Sequence, residues 1–218
     1  NSTDKKHVSS FHFTFVSINY PMSDDASILE EALGGLKRCV GNTPDAGAYA
    51  FTKLVLSGEA EVKVADLSSV AKYTELTQVS LSNQAITELT PLASLPYLAE
   101  IVCDNNKLTR SLDALAFRLC KKAQDSMADT GSDFDAAWAS GDRSIGSVLT
   151  SVNLSFNMIS GPLGDHSLHR FLRRLDLANN TLGEVGEGLS KLLELKYLNL
   201  SGNKLKRLES RELPDGLT

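Results

Sequence analysis

Leu195-Lys196-Tyr197-Leu198-Asn199-Leu200-Ser201-Gly202-Asn203-Lys204-Leu205 is a phrase that this 218-residue chain repeats. One period earlier stands Leu172-Arg173-Arg174-Leu175-Asp176-Leu177-Ala178-Asn179-Asn180-Thr181-Leu182, and before it Leu149-Thr150-Ser151-Val152-Asn153-Leu154-Ser155-Phe156-Asn157-Met158-Ile159. All three fit L-x-x-L-x-L-x-x-N-x-L, with other apolar residues admitted at the Leu positions. Leu98, Ile101, Cys103, Asn106 and Leu108 form a further copy, and Leu76, Val79, Leu81 and Ile86 another, with Gln84 in the Asn position. A worn copy starts at Phe51, with Leu54 and Leu56 in place and Glu59 where Asn belongs. Copies starting at 76 and 98 lie 22 residues apart, and those at 149, 172 and 195 lie 23 apart. Several agreeing periods of this length mark a repeat architecture, in which each unit buries its apolar face only against its neighbours.

This is the leucine-rich repeat pattern, and it predicts an α/β solenoid. Alternation along x-L-x-L-x sends both apolar side chains of a short strand into the core and the flanking residues to the other face. Successive strands then pair in parallel as a curved sheet on the concave side. The Asn side chain suits a turn in which it bonds neighbouring backbone, so Asn106, Asn157, Asn180 and Asn203 are expected to stack as a ladder that is poorer at Gln84 and Glu59. Between Ile86 and Tyr97 apolar residues recur every third position, which suits 3₁₀ or irregular turns on the convex side.

The frame divides the chain. Residues 1–22 read as an N-terminal strand or arm, with Phe11, Phe13 and Phe15 alternating with His12 and Thr14. Residues 23–50 read as a capping helix and junction. Ser23-Asp24-Asp25 opens the helix with acids at its positive end, and Ile28, Leu29, Ala32, Leu33, Leu36 and Val40 form its apolar face. Residues 51–218 are the repeat domain, with an insertion at about 109–148. The insertion carries the sole tryptophan, Trp138, and reads either as a convex surface excursion or as a docking element with Trp138 as its contact. After the last repeat Leu205, Leu208 and Leu213 begin a further coil, whose apolar end is expected to be covered by more chain or by a partner.

Composition narrows the function. Net charge is −5, with 22 Lys and Arg against 27 Asp and Glu, so no basic excess exists to neutralise nucleic-acid phosphates. No apolar run reaches membrane-spanning length, and no secretory leader is visible. The three cysteines, Cys39, Cys103 and Cys120, are scattered and odd in number, which points to a reduced intracellular setting. His166 and His169 form H-x-x-H without a completing ligand and read as surface residues. No phosphate-binding loop, dinucleotide fingerprint or nucleophile elbow is present. No catalytic residue, metal site or cofactor is therefore assigned. The expected action is protein binding on the concave face, where the frame places Lys53, Gln78, Glu100, Val102, Asp104, Asn153, Arg174, Asp176, Tyr197 and Asn199. Arg and Tyr are residue types enriched at binding hot spots.

Some stretches carry a closer likeness. Leu33-Gly34-Gly35-Leu36-Lys37-Arg38-Cys39, Ala48-Tyr49-Ala50-Phe51-Thr52-Lys53-Leu54-Val55-Leu56, Tyr73-Thr74-Glu75-Leu76-Thr77-Gln78-Val79-Ser80-Leu81-Ser82 and Leu89-Thr90-Pro91-Leu92-Ala93-Ser94-Leu95-Pro96-Tyr97-Leu98 resemble the leucine-rich repeat protein of the ciliary radial spoke. The likeness covers about residues 29 to 108, and the long insertion departs from it. It implies a non-catalytic structural subunit of the axoneme of cilia or flagella, bound to other radial spoke proteins within a large hetero-complex. The alternative is a regulatory subunit that binds an enzyme such as a phosphatase or a dynein motor.

Overall fold

The structure is a computed structural model that describes residues 24–40, 47–57, 63–112, 147–164, 166 and 169–217. The arm expected over 1–22, Glu59, Cys120, most of the insertion and Trp138 lie outside the described residues. Helix α1 (Asp24–Glu31) leads into strands β1 (Leu33–Val40), β2 (Gly47–Leu56), β3 (Gln78–Leu81), β4 (Glu100–Val102), β5 (Ser151–Asn153), β6 (Arg174–Asp176) and β7 (Tyr197–Asn199). The strands form one sheet in the order β1 to β7. β1 and β2 pair antiparallel, and every later pair is parallel. Short 3₁₀ turns return the chain at Ser68–Lys72, Thr90–Ser94, Gly186–Leu189 and Ser210–Glu212, as the three-residue apolar spacing predicts.

One inward row runs Leu54, Val79, Ile101, Val152, Leu175 and Leu198 in direct register. The first five are fully buried, and Leu198 is partly buried at the last coil. A second inward row includes Leu81, Cys103, Leu154 and Leu177, also fully buried. Each such side chain contributes roughly 2 kcal/mol of transfer free energy. Cys103 is one of these core groups. Burial, reinforced by the neighbouring Asp104 carboxylate, pushes its thiol up to about 12, so it stays protonated and unreactive.

The cap departs from the reading of its sequence. The helix stops at Glu31 and does not run through Leu33 and Leu36 to Val40. Gly34 and Gly35 remove its propensity, and Gly35 adopts φ +67°, which helix geometry forbids. Residues 33–40 fold back as β1 against β2, and Leu36 is left largely exposed. Ala26 and Leu29 do enter the core, so the short helix still covers the first coil. Its acids fasten it there. Asp25 accepts the backbone N–H groups of Ala65 and Asp66 at 2.9 and 2.8 Å. Glu30 accepts from Lys72 Nζ at 2.5 Å and from the Tyr73 hydroxyl at 3.1 Å, and the Lys72 bond above all holds its carboxyl below the ordinary range.

The long insertion leaves the sheet intact. β4 pairs directly with β5, Ile101 facing Val152, although 51 residues separate the two. The described residues run to Leu112 on one side of the insertion and resume at Ser147 on the other.

The predicted ladder is present. Asn106 Oδ1 accepts Ile86 N–H while its Nδ2 donates to Leu81 O in the previous coil and to Asp104 O in its own. Asn157 takes Leu108 N–H and donates to Cys103, Leu154 and Ser155 carbonyls. Asn180 does the same with Ile159 N–H and the Leu154, Leu177 and Ala178 carbonyls. Asn203 takes Leu182 N–H and donates to Leu177, Leu200 and Ser201. Gln84 accepts Val64 N–H and, among the described residues, donates to Ser82 O in its own coil alone, which matches the thinner ladder expected at that end.

A column of left-handed residues accompanies the ladder. Asn83, Asn105, Phe156, Asn179 and Gly202, each just before a ladder amide, have φ between 53° and 70°. Asn and Gly tolerate this conformation, whereas a side chain like Phe is strained there. Phe156 is also 58% exposed, so no burial offsets the strain.

Two outcomes follow for stability measured by urea unfolding. Asn157→Ala strands the buried Leu108 N–H and the Cys103 carbonyl, the Leu154 and Ser155 carbonyls keeping Asn180 Nδ2 and Asn105 N–H, and is expected to lose about 2–4 kcal/mol, with Asn203→Ala, in the more open last coil, losing less. Phe156→Asn is expected to gain roughly 1 kcal/mol by relieving the left-handed strain; a loss would show that the ring makes a stabilising contact.

Candidate protein-binding face

The register sorts the outward side chains into rows. The first runs Lys53, Gln78, Glu100, Ser151, Arg174 and Tyr197, one residue per strand from β2 to β7. The second runs Val55, Ser80, Val102, Asn153, Asp176 and Asn199. Just beyond the strands lie Ser82, Asp104, Ser155, Ala178 and Ser201. Nine of the ten residues that the sequence assigns to the face fall in the first two rows, and Asp104 falls in the third. Trp138, the proposed insertion contact, lies outside the described residues.

The C-terminal half of the face is ordered by its own polar groups. Arg174 stacks its guanidinium over the Tyr197 ring, 3.9 Å from the centroid. Tyr197 Oη donates to Asp176 Oδ2 at 3.5 Å, and Asn199 Nδ2 donates to the same oxygen at 3.2 Å. Asp176 Oδ1 accepts Ala178 N–H at 3.1 Å. Asn153 and Asn199 each accept the backbone N–H and hydroxyl of a serine two residues on, Ser155 and Ser201. Further towards the N-terminus Ser82 donates to Asp104 at 2.6 Å. These bonds fix the side chains before any partner arrives, which lowers the entropy lost on binding. The frame names Arg174, Asp176 and Tyr197 singly; their mutual contact arises because adjacent strands bring residues 23 apart into register, and Ser82 enters through its bond to Asp104.

Among the described residues, charge on the first row is exposed and unneutralised. Among the described residues the Lys53, Glu100 and Arg174 side chains form no ion pair, whereas the neighbouring Arg173 pairs with Glu194 at 3.2 Å. Tyr197 is 38% exposed at the end of the row.

His166 and His169 are not surface residues, as the sequence suggests, but are completely buried. His166 donates from Nδ1 to Gly164 O at 2.5 Å, which leaves Nε2 to meet the Ser111 hydroxyl at 3.2 Å. His169 donates from Nε2 to Leu112 O at 3.2 Å. The pair thus ties the convex side of one coil to Ser111 and Leu112, where the insertion begins. An H-x-x-H spacing carries no signal for such a backbone-binding role. Among the described residues no three His, Cys, Asp or Glu side chains are grouped to hold a metal ion, and no helix is long and apolar enough to cross a membrane.

Comparison with known proteins agrees with this geometry. Two family models described as Leucine Rich Repeat match residues 194–218 and 169–193. A search of curated proteins finds no match. Among solved structures, a leucine-rich repeat protein of Leptospira interrogans is 21% identical with a TM-score of 0.51 over 70% of this chain. This chain spans 32% of that protein's length. The leucine-rich repeat ectodomain of an Arabidopsis thaliana receptor kinase is 17% identical with a TM-score of 0.54, over 83% of this chain and 91% of that one. At these identities the likeness concerns the fold. Repeat grammar, a parallel strand per coil, the amide ladder and these likenesses together make the fold a leucine-rich repeat solenoid.

Proposed function

We propose that this chain is a non-catalytic scaffold that binds other proteins through its concave sheet, and that it does so in the axoneme of a cilium or flagellum as a radial-spoke type of subunit. The observation that carries the binding reading is the continuity of the face. Six strands present two outward rows in register, the insertion does not interrupt them, and their polar side chains are already held in place. A rigid wall of this kind acts by surface contact, the usual use of repeat architectures.

The axonemal reading is supported by where the resembling segments lie. Leu33–Cys39 and Ala48–Leu56 form the β1–β2 hairpin, and Tyr73–Ser82 and Leu89–Leu98 span the next strand and its convex return. Leu33–Cys39 and the Ala48-Tyr49 junction lie outside the generic repeat, so likeness there is more specific than likeness in the leucines.

A tagged chain expressed in a ciliated cell is expected to stay with salt-washed axonemes. The double variant Arg174→Glu, Tyr197→Ala, with unchanged circular dichroism, is expected to shift into the soluble fraction. Recovery of the unmodified chain only in the soluble cytoplasm would reject the axonemal assignment.

A further inference from the structure

The charges of the first row are spaced two strands apart. Lys53 stands on β2, Glu100 on β4 and Arg174 on β6, with neutral Gln78 and Ser151 on the strands between. All three are exposed, and among the described residues none is neutralised within the chain. Adjacent strands lie about 4.8 Å apart, so the charges recur at about 9.6 Å in the order positive, negative, positive.

A partner that satisfies this row needs acid, base and acid on one of its faces at the same interval. An extended strand laid along the row does not provide it. Its same-face residues recur at about 6.6 and 13 Å, and the residue at about 10 Å points the other way. An α-helix does provide it. Residues seven apart rise about 10.5 Å and return to nearly the same face, drifting only ~20° per heptad.

From this we propose that the concave face takes a single amphipathic helix lying across the strands, with Asp or Glu at i and i+14 and Lys or Arg at i+7. The outer acids meet Lys53 and Arg174, and the central base meets Glu100. Arg174 is the stronger anchor, because the Tyr197 ring holds its guanidinium carbon 3.9 Å from the ring centroid and a guanidinium offers paired N–H donors that match a carboxylate. This proposal rests on the concave-face reading and narrows it to a partner chemistry.

The test is selection of binders to the whole chain from a displayed library of single-helix peptides randomised at i, i+7 and i+14. Acids are expected to be enriched at both ends and bases at the centre. Affinity of a selected peptide is expected to fall about tenfold on Arg174→Glu and to recover when one terminal acid, not the other, is exchanged for a base. Binders that respond to Arg174→Glu and Glu100→Lys yet carry no such triplet, or that fail to recover on exchange, overturn the helix register while leaving the concave face as the docking surface. Binders indifferent to Lys53→Glu, Glu100→Lys and Arg174→Glu overturn both. The three side chains are exposed, so equal circular dichroism and melting temperature of the variants separate lost binding from lost folding.

Discussion

A buried amide bonded to two coils at once is the constraint on which the rest of this structure depends. Each repeat turns sharply after its strand and leaves backbone N–H and C=O groups facing inward, where water does not reach. Asn157 answers this with one acceptor and two donors on a short stem, taking Leu108 N–H and giving to Cys103, Leu154 and Ser155 carbonyls. An aspartate in its place lacks the donors, and an alanine leaves the Leu108 N–H and the Cys103 carbonyl without their partner, at about 1–3 kcal/mol per buried group. Because the bonds cross between coils, the ladder also sets the spacing at which one coil follows another.

That spacing is what gives the outer face its form. Once the coils are locked, residues 22, 23 or 51 apart in sequence stand one strand apart in space. The sheet converts a one-dimensional pattern into straight rows, with Arg174 on Tyr197 and three exposed charges at every second strand. Helix α1 secures the first coil through Asp25 and Glu30, acids that bond backbone N–H groups and Lys72. The histidine pair secures the point where the insertion leaves. The N-terminal and middle coils of the face inherit rigidity from these two fastenings.

Much of this was legible because leucine spacing, strand alternation and the Asn position are local rules that each repeat states independently. The inward residues Leu54, Val79, Ile101, Val152 and Leu175 and the outward rows follow from them directly. The hairpin β1–β2 was hidden because Ile28, Leu29, Ala32, Leu33 and Leu36 also fit a helical period, and two glycines decided the matter. The burial of His166 and His169 was hidden because their partners, Ser111 and the Leu112 carbonyl, lie more than 50 residues away. The left-handed column could be found only in part. Asn83, Asn105, Asn179 and Gly202 advertise that conformation, but Phe156 does not.

Backbone amide hydrogen exchange at Ile86, Leu108, Ile159 and Leu182 tests most directly that one uninterrupted solenoid underlies the face. These four N–H groups donate to successive ladder asparagines, Asn106, Asn157, Asn180 and Asn203. The account predicts that Leu108, next to the insertion, exchanges only through global unfolding, with protection within about tenfold of Ile86 and Ile159. Rapid exchange at Leu108 with slow exchange at Ile86 and Ile159 would mean that the stack opens at the insertion into two separate units, and would contradict it.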